Sequence, residues 1–274
     1  AEDASKASGA KHVWTEESKA VLTQMANGDW GVYEPIDINL FGSVSIEKYD
    51  AVTGQTAQGE ATLAGAKFQV INRSSNSVKV GNKVYAPGDV ICELTTDAKG
   101  FTKTENIFPV GTYEIKEISA PTGYLLNSQW KQTFSVTADK KDHSFTYADG
   151  TGCPDTVIAG KIQITKKIVN TIDSLDAAEV GAKFSVTNKN GTVVDTITTG
   201  ENGIGISKDL PYGTYTIKQI AGQAGTIFCD SWTVTVNENG KVYEYSKENP
   251  LWTASVSLHK KEIGVETPLV GTFE

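Results

Sequence analysis

This sequence predicts an all-β protein of two tandem sandwiches, with a short helical segment at its N-terminal end, and three observations carry that reading. Apolar and polar residues alternate over short runs, the period of strands with one buried face. Turn formers punctuate those runs, with 26 glycines among abundant Thr, Val, Ser and Asn. A series of landmarks then recurs in the same order, which marks two copies of one fold.

Residues 1–40 precede the first copy. Within them, residues 15–28 read as a short helix. Thr15 can cap it, Glu16 and Glu17 favour its first turn, and Asn27-Gly28 can end it. The first copy spans 41–152 and the second 153–253. Gly42-Ser43-Val44-Ser45-Ile46-Glu47-Lys48 answers Gly160-Lys161-Ile162-Gln163-Ile164-Thr165-Lys166. Leu63-Ala64-Gly65-Ala66-Lys67-Phe68 answers Val180-Gly181-Ala182-Lys183-Phe184. Thr95-Thr96 leading to Gly100-Phe101 answers Thr198-Thr199 leading to Gly203-Ile204. Gly111-Thr112-Tyr113-Glu114-Ile115-Lys116-Glu117-Ile118 answers Gly213-Thr214-Tyr215-Thr216-Ile217-Lys218-Gln219-Ile220. Two sheets of such strands, packed face to face, make a sandwich. Residues 254–274 repeat the opening strand as Ser255-Val256-Ser257-Leu258-His259-Lys260, so they read as the start of a third repeat or as a donated or docked strand.

Composition narrows the function. A net charge of -8 without basic runs disfavours nucleic acid, whose phosphates require a basic patch. No apolar stretch approaches the roughly 20 residues that span a bilayer. Walker loops, dinucleotide fingerprints and Gly-x-Ser-x-Gly elbows are absent from the sequence. His12, His143 and His259 show no ligand spacing, so no metal site is expected.

Several strings resemble the Cna-B-type (SpaA-like, prealbumin-like) repeat domains of Gram-positive pilins and adhesins. They are Ile46-Glu47-Lys48-Tyr49-Asp50, Leu63-Ala64-Gly65-Ala66-Lys67-Phe68 and Tyr113-Glu114-Ile115-Lys116-Glu117-Ile118-Ser119-Ala120-Pro121-Thr122-Gly123-Tyr124. The resemblance covers about residues 42–250 and implies Ig-like sandwiches. It also implies a spontaneous amide cross-link from a lysine to an Asn or Asp, assisted by an acid. By position, Lys48 is the nucleophile, Glu117 the acid and Asp149, on the last strand, the acceptor. Burial disfavours charge, so a core lysine tends towards the neutral amine and a core acid towards its protonated form. Folding then supplies the proximity.

The second copy departs from this pattern. Lys166 matches Lys48, but Gln219 stands where Glu117 would be and cannot serve as an acid. No cross-link is expected there, although Asn249 is a possible acceptor. Cys92 reads as a buried small hydrophobe. Cys153 and Cys229 fall near strand ends, and whether they pair as a disulfide is a matter of geometry. Trp130 and Trp232 occupy matching stretches and read as shared packing.

The resemblance thus implies a non-enzymatic structural stalk, pilin or adhesin component of a Gram-positive surface. It would be extracellular and wall-associated, would need no cofactor, and would be partnered by other pilin or surface subunits. The alternative is a module on the same scaffold that binds carbohydrate or a host matrix protein, with the loops or Trp14 and Trp30 as contacts. No Leu-Pro-x-Thr-Gly sorting signal appears.

Overall fold

The structure, a computed structural model, describes residues 40–148, 150–170, 176–257 and 263–264, together with three strands before residue 40. Among the described residues every regular element is extended, and no helix is long and apolar enough to cross a membrane. Residues 1–57 and 62–156 form one compact unit, and residues 58–61 and 157–274 the other.

The helix expected over 15–28 does not form across its middle. Val21–Gln24 is a strand, paired antiparallel with His12–Trp14 on one edge and Trp30–Tyr33 on the other. β-Branched Val21 and Thr23 favour the extended backbone, and a single short helix is marginal without packing. The remaining residues of 15–28 lie outside the described residues.

In the first unit one sheet runs Lys131–Val136, Gly111–Ser119, Lys67–Asn72, Val90–Thr95, all antiparallel neighbours. The opposing sheet centres on Val44–Asp50, which pairs antiparallel with Phe101–Lys103. His143–Phe145 and Cys153–Val157 run parallel to it. Period-two alternation sends Val44 and Ile46 inward from one sheet, and Phe68, Val70, Tyr113, Ile115, Phe134 and Val136 from the other, so the core lies between them. Trp130 packs edge-on against Phe68, with ring centroids 5.4 Å apart.

The second unit repeats the plan. Val193–Thr198, Lys183–Asn188, Gly213–Ala221 and Trp232–Val236 make one sheet. The other centres on Ala159–Val169, which pairs in parallel with Val242–Pro250 from Lys161↔Val242 to Val169↔Pro250. Trp232 meets Phe184 with centroids 6.0 Å apart, the same partnership as in the first copy. Two further details recur. Tyr113 Oη donates to Pro109 O at 2.7 Å, and Tyr215 Oη donates to Pro211 O at 2.6 Å. Thr96 Oγ1 and Thr199 Oγ1 accept from the backbone of Ala66 and Ala182, each at 3.0 Å.

The division between copies falls at residue 156 rather than 152, because Cys153–Val157 completes the first sandwich. In the tail, residues 254–257 are exposed and outside any strand, and most of 258–274 lies outside the described residues.

Candidate functional site: a buried lysine between two carboxyl groups

Alternation explains how ionisable residues reach the centre of the first sandwich. Lys48 is in phase with Val44 and Ile46 on its strand, Glu117 with Tyr113 and Ile115, and Asp155 with Cys153. Each of the three strands therefore aims a charged side chain into the core it helps to build.

Those groups converge. Lys48 Nζ lies 3.3 Å from Glu117 Oε1 and pairs with Asp155 Oδ1, and the three side chains are wholly buried. Nζ also donates to Cys153 O at 3.2 Å and meets Cys153 Sγ at 3.3 Å. Glu117 is held from behind by the backbone N–H of Asn127, which donates to Oε2 at 3.1 Å. Asn127 in turn donates through Nδ2 to Pro154 O at 2.9 Å, tying this loop to the strand that carries Asp155. Burial pushes the Asp155 carboxyl up to about 7; Lys48 opposes the rise and Glu117 adds to it. Glu117, Cys153 and Asp155 could together face a metal ion, but the Lys48 ammonium lies against all three. A buried ion pair of this kind gains little net stability, since desolvation offsets most of the attraction. Its value is chemical: an amine, a carboxyl group with an elevated pKa and a second acid sit within reach of one another.

A family model described as the SpaA prealbumin-like fold domain matches residues 42–151 and 160–250. The chain belongs to the SpaA prealbumin-like family. Among solved structures it is similar to the Bacillus anthracis TIE protein, with a TM-score of 0.55 and 21% identity; the match covers 85% of this chain and 41% of that one. The chain thus spans less than half the length of that protein. A C-terminal fragment of the pilus adhesin SpaC from Lactobacillus rhamnosus GG aligns at a TM-score of 0.46 and 13% identity, over 78% of this chain and all of that one. GBS52, the minor pilin of Streptococcus agalactiae, aligns at 0.36 and 16% identity, over 80% of this chain and all of that one. The first likeness shows a shared fold. No curated protein matches the chain.

In the first SpaA domain, Lys48 and Glu117 are brought together, while Asp149 lies outside the described residues. The carboxylate beside Lys48 is Asp155, which sequence reasoning missed. Assigning residues from 153 onward to the second copy had removed it from consideration. The signal that could have found it is the alternation of Cys153 and Asp155 in a short extended run.

The disulfide considered between Cys153 and Cys229 is not formed, and both thiols are free. Cys153 belongs to the first SpaA domain's core, and Cys229 to the second domain, beside Gln219. Cys92 is also free, and burial pushes its thiol up to about 11. Burial raises the Cys153 and Cys229 thiols as well. Ellman's reagent should therefore find all three thiols in denaturant without reductant. In the native protein at pH 8 the Cys92 rate should fall roughly a hundredfold, because so little thiolate is present. Finding a single thiol in denaturant would contradict the free pair.

Proposed function

We propose that this chain is a structural segment of a Gram-positive cell-surface protein, a stalk, pilin or adhesin component, and that its first domain staples itself through an amide between Lys48 and Asp155. The observation that carries this reading is the wholly buried cluster of Lys48, Glu117 and Asp155. Beyond Lys48 and the Glu117 carboxyl group, neither oxygen of Asp155 has a side-chain partner among the described residues. Left ionic, such a carboxylate is costly; converted to an amide, it and the lysine both lose their charge.

The chemistry is a condensation. A proton passes from the Lys48 ammonium to the carboxyl pair, leaving a neutral amine. Nζ then attacks Asp155 Cγ, and Glu117, as a protonated acid, polarises the carbonyl and relays protons to the departing oxygen. The Nζ–Cγ bond forms, a Cγ–O bond breaks, and one water leaves. Protonated Asp155 is the competent form, and its elevated pKa keeps that form populated near neutrality. No external catalyst or cofactor is required, because folding assembles the reactants. Extracellular display alongside neighbouring surface subunits follows from the same reading.

The deciding experiment is the intact mass with peptide mapping. We expect a branched peptide joining Lys48 to Asp155, one water lighter than its two parts and unchanged by reductant. Recovery of the two peptides separately, at full mass, would overturn the proposal.

A further inference from the structure

The closing strands of the two domains differ in a feature that the amide chemistry does not use. In the first domain Phe145 pairs with Ile46 and Cys153 with Lys48, so residues 146–152 are looped out between them. In the second domain Tyr245 pairs with Ile164 and Lys247 with Lys166, and Ser246 alone stands in that place. The first closing strand is thus broken by a bulge, a common device for blunting the edge of a sheet. The second runs unbroken as Val242–Pro250, and its only strand partner among the described residues is Ala159–Val169. Alternation shows which backbone groups this leaves open. Pro250 O accepts from the Ile227 N–H at 2.9 Å and the Trp252 N–H donates to Gly225 O at 2.8 Å, so even-numbered residues turn away from Ala159–Val169. The N–H and C=O groups of Val242, Glu244, Ser246 and Glu248 therefore face outward, without a partner among the described residues.

An orphaned donor lies along the same edge. In the first domain the looped residues supply a carbonyl: Thr151 O accepts from Trp130 Nε1 at 3.2 Å and from Gln132 Nε2 at 3.3 Å. Thr151 holds φ +59° there, a left-handed backbone that a β-branched residue takes only under constraint. In the second domain Trp232 stands at the register of Gln132, opposite Ile217 as Gln132 is opposite Ile115. Its Nε1 is buried and has no acceptor among the described residues, a costly arrangement. Trp232 begins the edge strand of the facing sheet, with its ring 5.6 Å from that of Tyr245 and Lys247 Nζ 4.1 Å from its centroid. The open ladder and the orphaned N–H thus share one side of the sandwich, and both fit the backbone of an added extended segment.

We infer that this side of the second domain accepts a strand from a second copy of the chain, namely its residues 254–261. That segment, Ala254-Ser255-Val256-Ser257-Leu258-His259-Lys260-Lys261, repeats the pattern of Gly160-Lys161-Ile162-Gln163-Ile164-Thr165-Lys166-Lys167, the partner that Val242–Pro250 already has on its other edge. It is not seated this way on its own copy, where residues 254–257 are in no strand and Val256 is 84% exposed. Set parallel in the register of the existing partner, Val256 and Leu258 turn inward beside Tyr243 and Tyr245, and Lys261 falls beside Glu248. The long side chain of Lys247 swings off the Trp232 ring, and a carbonyl of the added strand accepts the indole N–H. Two copies of Val242–Pro250 suit each other less well, because an antiparallel pair centred on Ser246 sets Glu244 opposite Glu248 twice. Each copy carries both a tail and an edge, so the contact is head-to-tail and grows beyond the dimer.

Sedimentation of the full chain over rising concentration should show an average mass that climbs past that of a dimer. Ser246→Pro removes an outward N–H at an edge position where proline is tolerated, and should leave a monomer. Val256→Asp changes an exposed residue of the tail and should do the same from the other side. A mixture of the two decides the matter. One variant retains a tail and the other an edge, so together they should form a one-to-one dimer that grows no further. In that dimer the Trp232 indole N–H resonance of ¹⁵N-labelled Val256→Asp protein, assigned through Trp232→Phe, should move downfield. Glu248→Lys, a surface change that leaves folding alone, should weaken association of the full chain roughly tenfold. A full chain that stays monomeric up to about 1 mM would overturn the inference. So would a mixture that forms no dimer, or a Val256→Asp protein that associates like the parent, which would mean that the edges pair with one another.

Discussion

Glu117→Gln is expected to leave the first domain unjoined, with the Lys48 and Asp155 peptides recovered at full mass and the thermal midpoint lowered by on the order of 20 °C. Gln keeps the size of the side chain and can still accept from the Asn127 N–H, so packing is little disturbed. What disappears is the acid, and losing a positioned general acid costs about 10²–10⁴ in rate. The stability loss follows from chain entropy. Joining Lys48 to Asp155 closes a long loop in the unfolded chain, and closing a loop of about 100 residues is worth about 4.7 kcal/mol by the loop-entropy relation for covalent cross-links. For a domain of this size each kcal/mol moves the midpoint by roughly 4–5 °C. Calorimetry alongside the mass measurement checks both halves. A variant that is one water short and melts like the parent would remove Glu117 from the mechanism.

The second large effect is expected at Gly100, where substitution by Ala should cost roughly 3 kcal/mol or more. Gly100 has φ +77°, a left-handed conformation, and a Cβ placed there would stand 2.4 Å from Lys48 O. The close approach is needed because the Lys48 N–H donates to Gly100 O at 2.7 Å, seating the strand of Lys48 against this turn. Strain at φ contributes about 1 kcal/mol. The clash with backbone adds more, since neither partner can swing aside. Gly65→Ala provides the control: its φ is +90°, but no atom lies within 4 Å of the new methyl, so only the strain should appear. Denaturant unfolding of the two variants measures the difference. Equal losses would mean that the contact with Lys48 does not matter.

Much of this architecture is legible in the residues because the sandwich rests on period-two alternation, which any strand facing a core must show. The landmarks Gly42 to Lys48 and Gly111 to Ile118 could be laid on their second copies because packing constrains the same positions twice. Lys48 and Glu117 were legible through the resemblance of their strings to the Cna-B-type repeats, and the structure puts them in phase with Ile46 and Ile115. Asp155 was hidden because its strand is five residues long and follows what looked like the end of a domain. Its partnership with Val44–Asp50 spans about a hundred residues of sequence, a pairing local patterns cannot reveal. Over 15–28 the expected helix rested on Thr15, Glu16, Glu17 and Asn27-Gly28, which lie outside the described residues, whereas Val21–Gln24 between them is a strand paired along both edges.

The parallel pairing of first and last strands has a mechanical meaning. In each domain the chain enters at the start of the opening strand and leaves at the end of the closing one, and the two run in the same direction. Tension applied to the termini therefore pulls these neighbours past one another, loading their ladder of hydrogen bonds together in shear rather than unzipping it one by one. An amide between those strands would carry the load straight across from one to the other. The rest of the sandwich would then hang outside the tensioned path, free to keep its shape while the chain is stretched.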